Sequence, residues 1–126
     1  MDEARSGLVL ANLLGRATTL KEEADWEPLR PGVDIRRLYK NGDDGPSAAL
    51  LRYQPGAAVP LHRHRGYEHI LVLDGAQSDE RGRYPVGTLV INPPGTAHRV
   101  WSDVGCVVLI FWERGLPFPT TPDAAP

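Results

Sequence analysis

Cysteine is almost missing from this chain: Cys106 stands alone among 126 residues, so no disulfide can close within it. Stability must come from a buried apolar core, which a chain of this length can build in one domain. Long apolar runs are missing too. The longest, Val107 to Trp112, has six residues, whereas a membrane-crossing helix needs about 20. The N-terminus shows no basic segment followed by an apolar run, the pattern of a secretory leader. A soluble, cytoplasmic protein with no membrane partner is expected. A surplus of positive charge is also absent. The formal charge is −2 and the arginines are interleaved with Asp and Glu, so no basic stripe could neutralise a run of phosphates and nucleic acid is not an expected partner.

What is plentiful is turn chemistry. Gly (13) and Pro (12) together lie well above their average combined share of about 12 %. That favours short strands joined by turns, and an all-β fold becomes the expectation. Residues 1–25 read as a partly ordered N-terminal extension, with Leu8 to Leu14 apolar enough for a strand or a helical turn and no helical stripe from Gly15 to Glu27. Residues 26–114 read as the domain and 115–126 as an extended Pro-rich tail. Within the domain, Val33 to Lys40 and Ala48 to Gln54 flank the breaker run from Asn41 to Pro46 and form a hairpin. Further strands are expected near Ala58 to His62, Glu68 to Leu73, Ala76 to Ser78, Thr88 to Asn92, His98 to Trp101 and Cys106 to Trp112, with an exposed turn between Ser78 and Arg83.

Three of the four histidines fall at spacings that strands can gather into one site. In an extended chain residues i and i+2 face the same way, so His62 and His64 project together while Leu61, Arg63 and Arg65 project oppositely. Gly66 allows a bend, after which Glu68, Ile70 and Val72 face inward and His69 outward. His98 follows the rigid turn Pro93-Pro94-Gly95-Thr96 and arrives on a different strand. Three imidazoles and one carboxylate suit one divalent ion, whether Zn, Fe, Mn, Ni or Co, with room for water or substrate.

These spacings resemble a known family. Gly56-AAVPL-His62-Arg-His64-RGY-Glu68-HILVLD-Gly75 matches the first cupin motif without a gap, and Gly87-TLVIN-Pro93-Pro-Gly95-TA-His98 matches the second up to its end, where Ser102 replaces the usual Asn. The resemblance implies a double-stranded β-helix, a jelly-roll barrel of two antiparallel sheets, with the metal held inside by His62, His64, Glu68 and His98. More narrowly, Trp26-Glu-Pro-Leu-Arg-Pro-Gly-Val33, Leu50-Leu-Arg-Tyr-Gln-Pro-Gly56 and Gly105-Cys-Val-Val-Leu are similar to the cupin domain of the ChrR anti-sigma factors. Those regulators grip the sigma factor with a separate N-terminal helical domain that carries its own zinc ligands. The 25 residues before Trp26 are too few for it, so sigma-factor binding is not carried over.

By analogy with cupins that cleave β-diketones or hydroxyacetophenones, the leading expectation is an Fe(II) dioxygenase acting on a small diketone or hydroxyketone. His62, His64 and His98 would hold the iron and Glu68 would tune or vacate a position. The alternatives are a non-catalytic zinc-binding sensor or ligand-binding module like the ChrR cupin domain, and a cupin isomerase. Tyr53, Tyr67 and Arg52 are candidate lining for a small-molecule pocket. Cys106 reads as core, Trp101 and Trp112 as packing residues, His69 as surface. Leu71 and Leu73 lie opposite Ile70 and Val72, and Val107 to Phe111 is apolar on both faces, so the outer side of that sheet needs a cover, either a terminal strand or another subunit, and a homodimer is expected.

Overall fold

The computed structural model describes residues 7–115. One helix, α1 (Leu13–Leu20), precedes nine strands: β1 (Glu27–Arg30), β2 (Val33–Lys40), β3 (Ser47–Tyr53), β4 (Ala58–Arg63), β5 (Glu68–Asp79), β6 (Gly82–Pro85), β7 (Leu89–Asn92), β8 (Ala97–Trp101) and β9 (Cys106–Trp112). All pairings are antiparallel, in the order β1-β2-β3-β9-β5-β8-β4, with β6 and β7 also paired to β5. Strand β5 joins the two halves of the curled sheet. Its first part pairs with β7 and β9, its last part with β6 and β8. The change of partner follows a bulge at Val72 to Asp74 and a left-handed Gly75 (φ 69°). A Cβ on Gly75 would collide with the Gly105 carbonyl, so the close crossing of β5 over the start of β9 requires glycine.

Alternation along the strands builds two cores. The inward residues, among them Val33, Ile35, Leu51, Ile70, Val72, Val108 and Ile110, fill the barrel. The outward residues Leu50, Leu73, Val107 and Leu109 make a second cluster with Ala17 and Leu20 of α1, flanked by Leu13, Trp26, Leu38 and Leu71. Leu13, Ala17 and Leu20 recur at i, i+4 and i+7, one helical face. The rest of the helix is tied down by polar contacts: Lys21 Nζ lies 2.8 Å from Asp74 Oδ2, and the Trp26 indole donates to the Leu20 carbonyl at 3.0 Å. Arg52 stacks over Trp26 at 4.8 Å while donating to the Lys21 carbonyl and to Asp34.

Several expectations need correction. The outer cover over Leu50, Leu73, Val107 and Leu109 comes from this chain's own helix, which removes the argument for a second subunit there, although Leu89, Ile91 and Phe111 stay exposed on the same face. The helix was illegible because Gly15, Thr18 and Thr19 lower helix propensity, and the docking that stabilises it depends on residues far away in sequence. The segments 68–73 and 76–78 are one strand, because Gly75 bends β5 without ending it. Strand β1 was hidden by Pro28, which the sheet edge tolerates, and β6 by the turn residues around it. Residues 116–126 of the expected tail lie outside the described residues. No helix among the described residues is long and apolar enough to cross a membrane.

Leu20 is 1 % exposed beneath the helix, whereas Leu14 is 58 % exposed. Leu20→Ala is expected to lower the unfolding free energy by about 2–5 kcal/mol, and Leu14→Ala to stay within about 0.5 kcal/mol of the parent. Urea denaturation of both variants checks the docking, and equal effects would contradict it.

Candidate metal centre

Two cross-strand rows deliver the site. In the first, His62 on β4 stands opposite His98 on β8. In the second, Glu68 at the start of β5 stands opposite Asn92 on β7 and Trp112 on β9. His64 lies just past the end of β4, where its backbone amide donates to Thr96 and its carbonyl accepts from Gly95. The turn before β8 thus carries His98 and also fastens His64. One ligand atom from each of His62, His64, Glu68 and His98 lies within 4.8 Å of the others. The imidazole centroids are 4.6 to 5.1 Å apart and steeply inclined, so the rings converge by their edges.

Each ring is oriented through its outer nitrogen. Nδ1 of His62 faces the Pro60 carbonyl at 2.9 Å, that of His64 faces the Thr96 carbonyl at 3.0 Å, and that of His98 faces Asp79 Oδ2 at 3.3 Å. Carbonyls and carboxylates only accept, so each Nδ1 carries the hydrogen and each Nε2 turns a lone pair toward the common centre. Glu68 is equally constrained: Asn92 Nδ2 donates to Oε1 at 3.1 Å and the Trp112 indole donates to Oε2 at 2.8 Å. Oε1 then faces His64 Nε2 at 3.0 Å and His98 Nε2 at 3.6 Å.

The arrangement fits a cation. With the hydrogens on Nδ1, the buried Nε2 atoms of His64 and His98 have none to donate to the Glu68 oxygen they face and are left unsatisfied, a cost that a protein accepts for few groups unless something else binds them. Protonation states agree. Burial holds the His62 and His98 imidazoles below their usual range, favouring the neutral ligating form. Burial pushes the Glu68 carboxyl up, but His64 and the other two imidazoles pull it down, and it ends below the ordinary carboxylate range. Three nitrogens plus one carboxylate oxygen are a ligand set for a borderline divalent ion such as zinc or iron.

The candidate pocket residues divide between the inside and the outside of the barrel. Tyr53 lies inside the barrel, in the lining of a small cavity beside the tetrad with Gln77, Val100 and Ile110. About 10 Å³ of that cavity admits a water-sized sphere, close to the minimum for one water molecule. Arg52 is on the outer face of β3, paired with Asp34, and Tyr67 is an exposed neighbour of His69. Strand alternation turns Arg52 to the outside, and Tyr67, just before β5, is exposed, so neither lines the interior cavity for which both were candidates. Trp112 proves to be more than packing, since its indole holds Glu68. Asp79 and Asn92 carried no sequence signal beyond a turn and a strand end. Cys106 is wholly buried and its thiol is pushed up to about 12 by burial, which matches an inert core residue. Ser102, in place of the usual Asn, donates to the Ala76 carbonyl at 2.6 Å.

A curled antiparallel barrel with three histidines and a glutamate converging inside it is a cupin. Within that class the chain belongs to the ChrR cupin-like domain family, whose profile matches residues 15–115. It is 34 % identical over 118 residues to the anti-sigma-E factor ChrR of Cereibacter sphaeroides, an alignment covering 92 % of this chain and 53 % of the relative. The chain therefore spans about half the length of that curated relative. The crystal structure of Rhodobacter sphaeroides SigE in complex with the anti-sigma ChrR matches with a TM-score of 0.68 at 33 % identity, covering 90 % of this chain and 61 % of the matched one. An acetylacetone dioxygenase from Acinetobacter johnsonii matches with a TM-score of 0.67 at 13 % identity, over 72 % of this chain and 69 % of its own, a likeness of fold alone.

The family result overturns one exclusion. Sigma factors were left out of the expected partners because the segment before Trp26 is short, yet the relative that shares this barrel is itself an anti-sigma factor found in complex with SigE. The length of a segment was the wrong criterion.

The lowered imidazoles set a pH dependence for the metal-free chain. An unfolded histidine titrates near 6.5, and the folded His62 and His98 titrate lower, so on acidification the unfolded state takes up protons first. Stability is complete above about pH 6.5 and drains as pH falls toward the lowered values, with Glu68 adding to the loss in more acid solution. Urea melts of chelator-treated protein at successive pH values should show this slope. A profile flat from neutral pH down to 5 would contradict it.

Proposed function

We propose that this chain is a metal-binding regulatory module of the anti-sigma type, in which one divalent ion, zinc above all, is held by His62, His64, Glu68 and His98 and orders the barrel without performing catalysis. The observation that carries this reading is family membership: residues 15–115 match the ChrR cupin-like domain, and the relative aligned over 92 % of this chain is an anti-sigma factor. The interior cavity beside the tetrad, with room for about one water, is in keeping with it. The dioxygenase expectation was drawn by analogy with diketone-cleaving cupins, and the acetylacetone dioxygenase that matches here does so at 13 % identity, a likeness of fold that does not carry chemistry.

When bound, the ion supplies a cross-link between segments distant in sequence. The chain's own groups do the rest. The Pro60, Thr96 and Asp79 acceptors hold the imidazoles in the ligating tautomer, and Asn92 and Trp112 hold the carboxylate. Because the metal binds the native arrangement and not the unfolded chain, it acts as a folding ligand, worth about 2.7 kcal/mol at one hundred times its dissociation constant. Occupancy would thereby set the rigidity of the barrel, the property a partner can read. The partner class we infer is a sigma factor, by membership of the family that includes ChrR.

Anaerobic purification, elemental analysis and oxygen-uptake assays with acetylacetone test the reading. About one zinc per chain, lost in His98→Ala, with no oxygen uptake is the expected result. An iron-loaded chain that consumes oxygen with the diketone would overturn it in favour of the dioxygenase.

A further inference from the structure

The Asn92 side chain has two chemically different ends, and only one orientation suits its surroundings. Nδ2 donates to Glu68 Oε1 at 3.1 Å, while Oδ1 accepts from Arg81 Nη2 at 2.9 Å. A half-turn of the amide would set oxygen against carboxylate and NH₂ against guanidinium, acceptor facing acceptor and donor facing donor. Asn92 is 3 % exposed, so bulk water cannot relieve either clash. The guanidinium therefore selects the orientation in which Asn92 holds the glutamate.

Arg81 stands at the tip of the β5–β6 hairpin. Its backbone amide donates to Asp79 Oδ1 at 2.8 Å, and its Nη2 lies 3.4 Å from Asp79 Oδ2, the atom that faces His98 Nδ1. Its side chain is 59 % exposed and lines an outer cleft of about 430 Å³ that reaches His98, together with Glu80, Asn92, Pro93 and Thr96. One surface cation thus touches the outer supports of two of the four inward groups, Glu68 and His98. The two contacts are unequal. Asp79 is also held by the Tyr84 hydroxyl at 2.6 Å and by a main-chain amide, whereas Asn92 Oδ1 accepts from the Arg81 guanidinium.

Building on the reading that the tetrad holds an ion, we propose that Arg81 is a positioning residue for the metal centre: from the protein surface it locks the Asn92 amide, and through it the Glu68 carboxylate, in the ligating orientation. Its loss acts chiefly through Asn92, with Asp79 and His98 disturbed less.

The test uses the full chain and its Arg81→Ala, Arg81→Lys, Asn92→Ala and doubly substituted variants, with Arg83→Ala, an exposed position on the same hairpin, as control. Zinc affinity is read by competition with a chromophoric chelator, and the Asn92 side-chain amide by NMR of the metal-free protein. Arg81→Ala is expected to weaken zinc binding about tenfold or more, the usual effect of removing an outer support. Arg81→Lys, which can still donate to Oδ1, should restore most of it, and Arg83→Ala should bind as the parent does. In the Asn92→Ala background Arg81→Ala should add almost nothing, since the two act on one path. Affinity within twofold of the parent in Arg81→Ala, or losses that multiply in the double variant, would overturn the proposal. So would an Asn92 amide resonance that Arg81→Ala leaves unmoved in the metal-free protein, a readout independent of whether the tetrad binds zinc. A parent chain that binds no zinc overturns the metal reading and the positioning role with it.

Discussion

A carboxylate sealed in the barrel interior is the constraint on which the rest of the site depends. Glu68 is 3 % exposed, and an ion so placed is tolerated only when it is paired and fully hydrogen-bonded. Strand register meets that demand. Because Glu68 stands opposite Asn92 on one side and Trp112 on the other, each cross-strand neighbour contributes a donor. The remaining face of the carboxylate is left to the imidazoles. A one-residue slip of β5 would turn Glu68 to the outside and bring His69 in, dismantling the centre.

The same logic extends outward. His98 is oriented by Asp79, which the β5–β6 hairpin carries, and His64 by Thr96, which the turn before β8 carries. The tetrad is thus supported by loops at one end of the barrel, while α1 covers the outer face of the sheet near Leu73 and Leu109. Burial of the outer face and ordering of the site share strand β5, whose Gly75 bend lets one strand serve both halves.

Much of this was legible in the residues alone. His62 and His64 share a direction because a strand alternates, Glu68 follows a glycine bend, and His98 follows a rigid Pro-Pro-Gly turn. Local geometry with short spacings is enough to read these. Asp79, Asn92 and Trp112 were not legible, because each acts through a partner 11 to 44 residues away, brought close only by pairing. Arg52 and Tyr67 were offered for a pocket on their chemistry alone, and the structure sets Arg52 on the outer face of β3 beside Asp34 and leaves Tyr67 exposed just before β5.

The sequence by itself determined the class of fold, most of the strands from Val33 to Trp112 and the identity of the four converging groups, since alternation, turns and ligand chemistry are properties of neighbouring residues. Only the tertiary structure decided what covers the outer face, which nitrogen of each imidazole points inward, that β5 runs on through Gly75 to pair with β6, and which distant donors steady Glu68. Those depend on register and packing between strands far apart in the chain, and no local pattern encodes a distance between them.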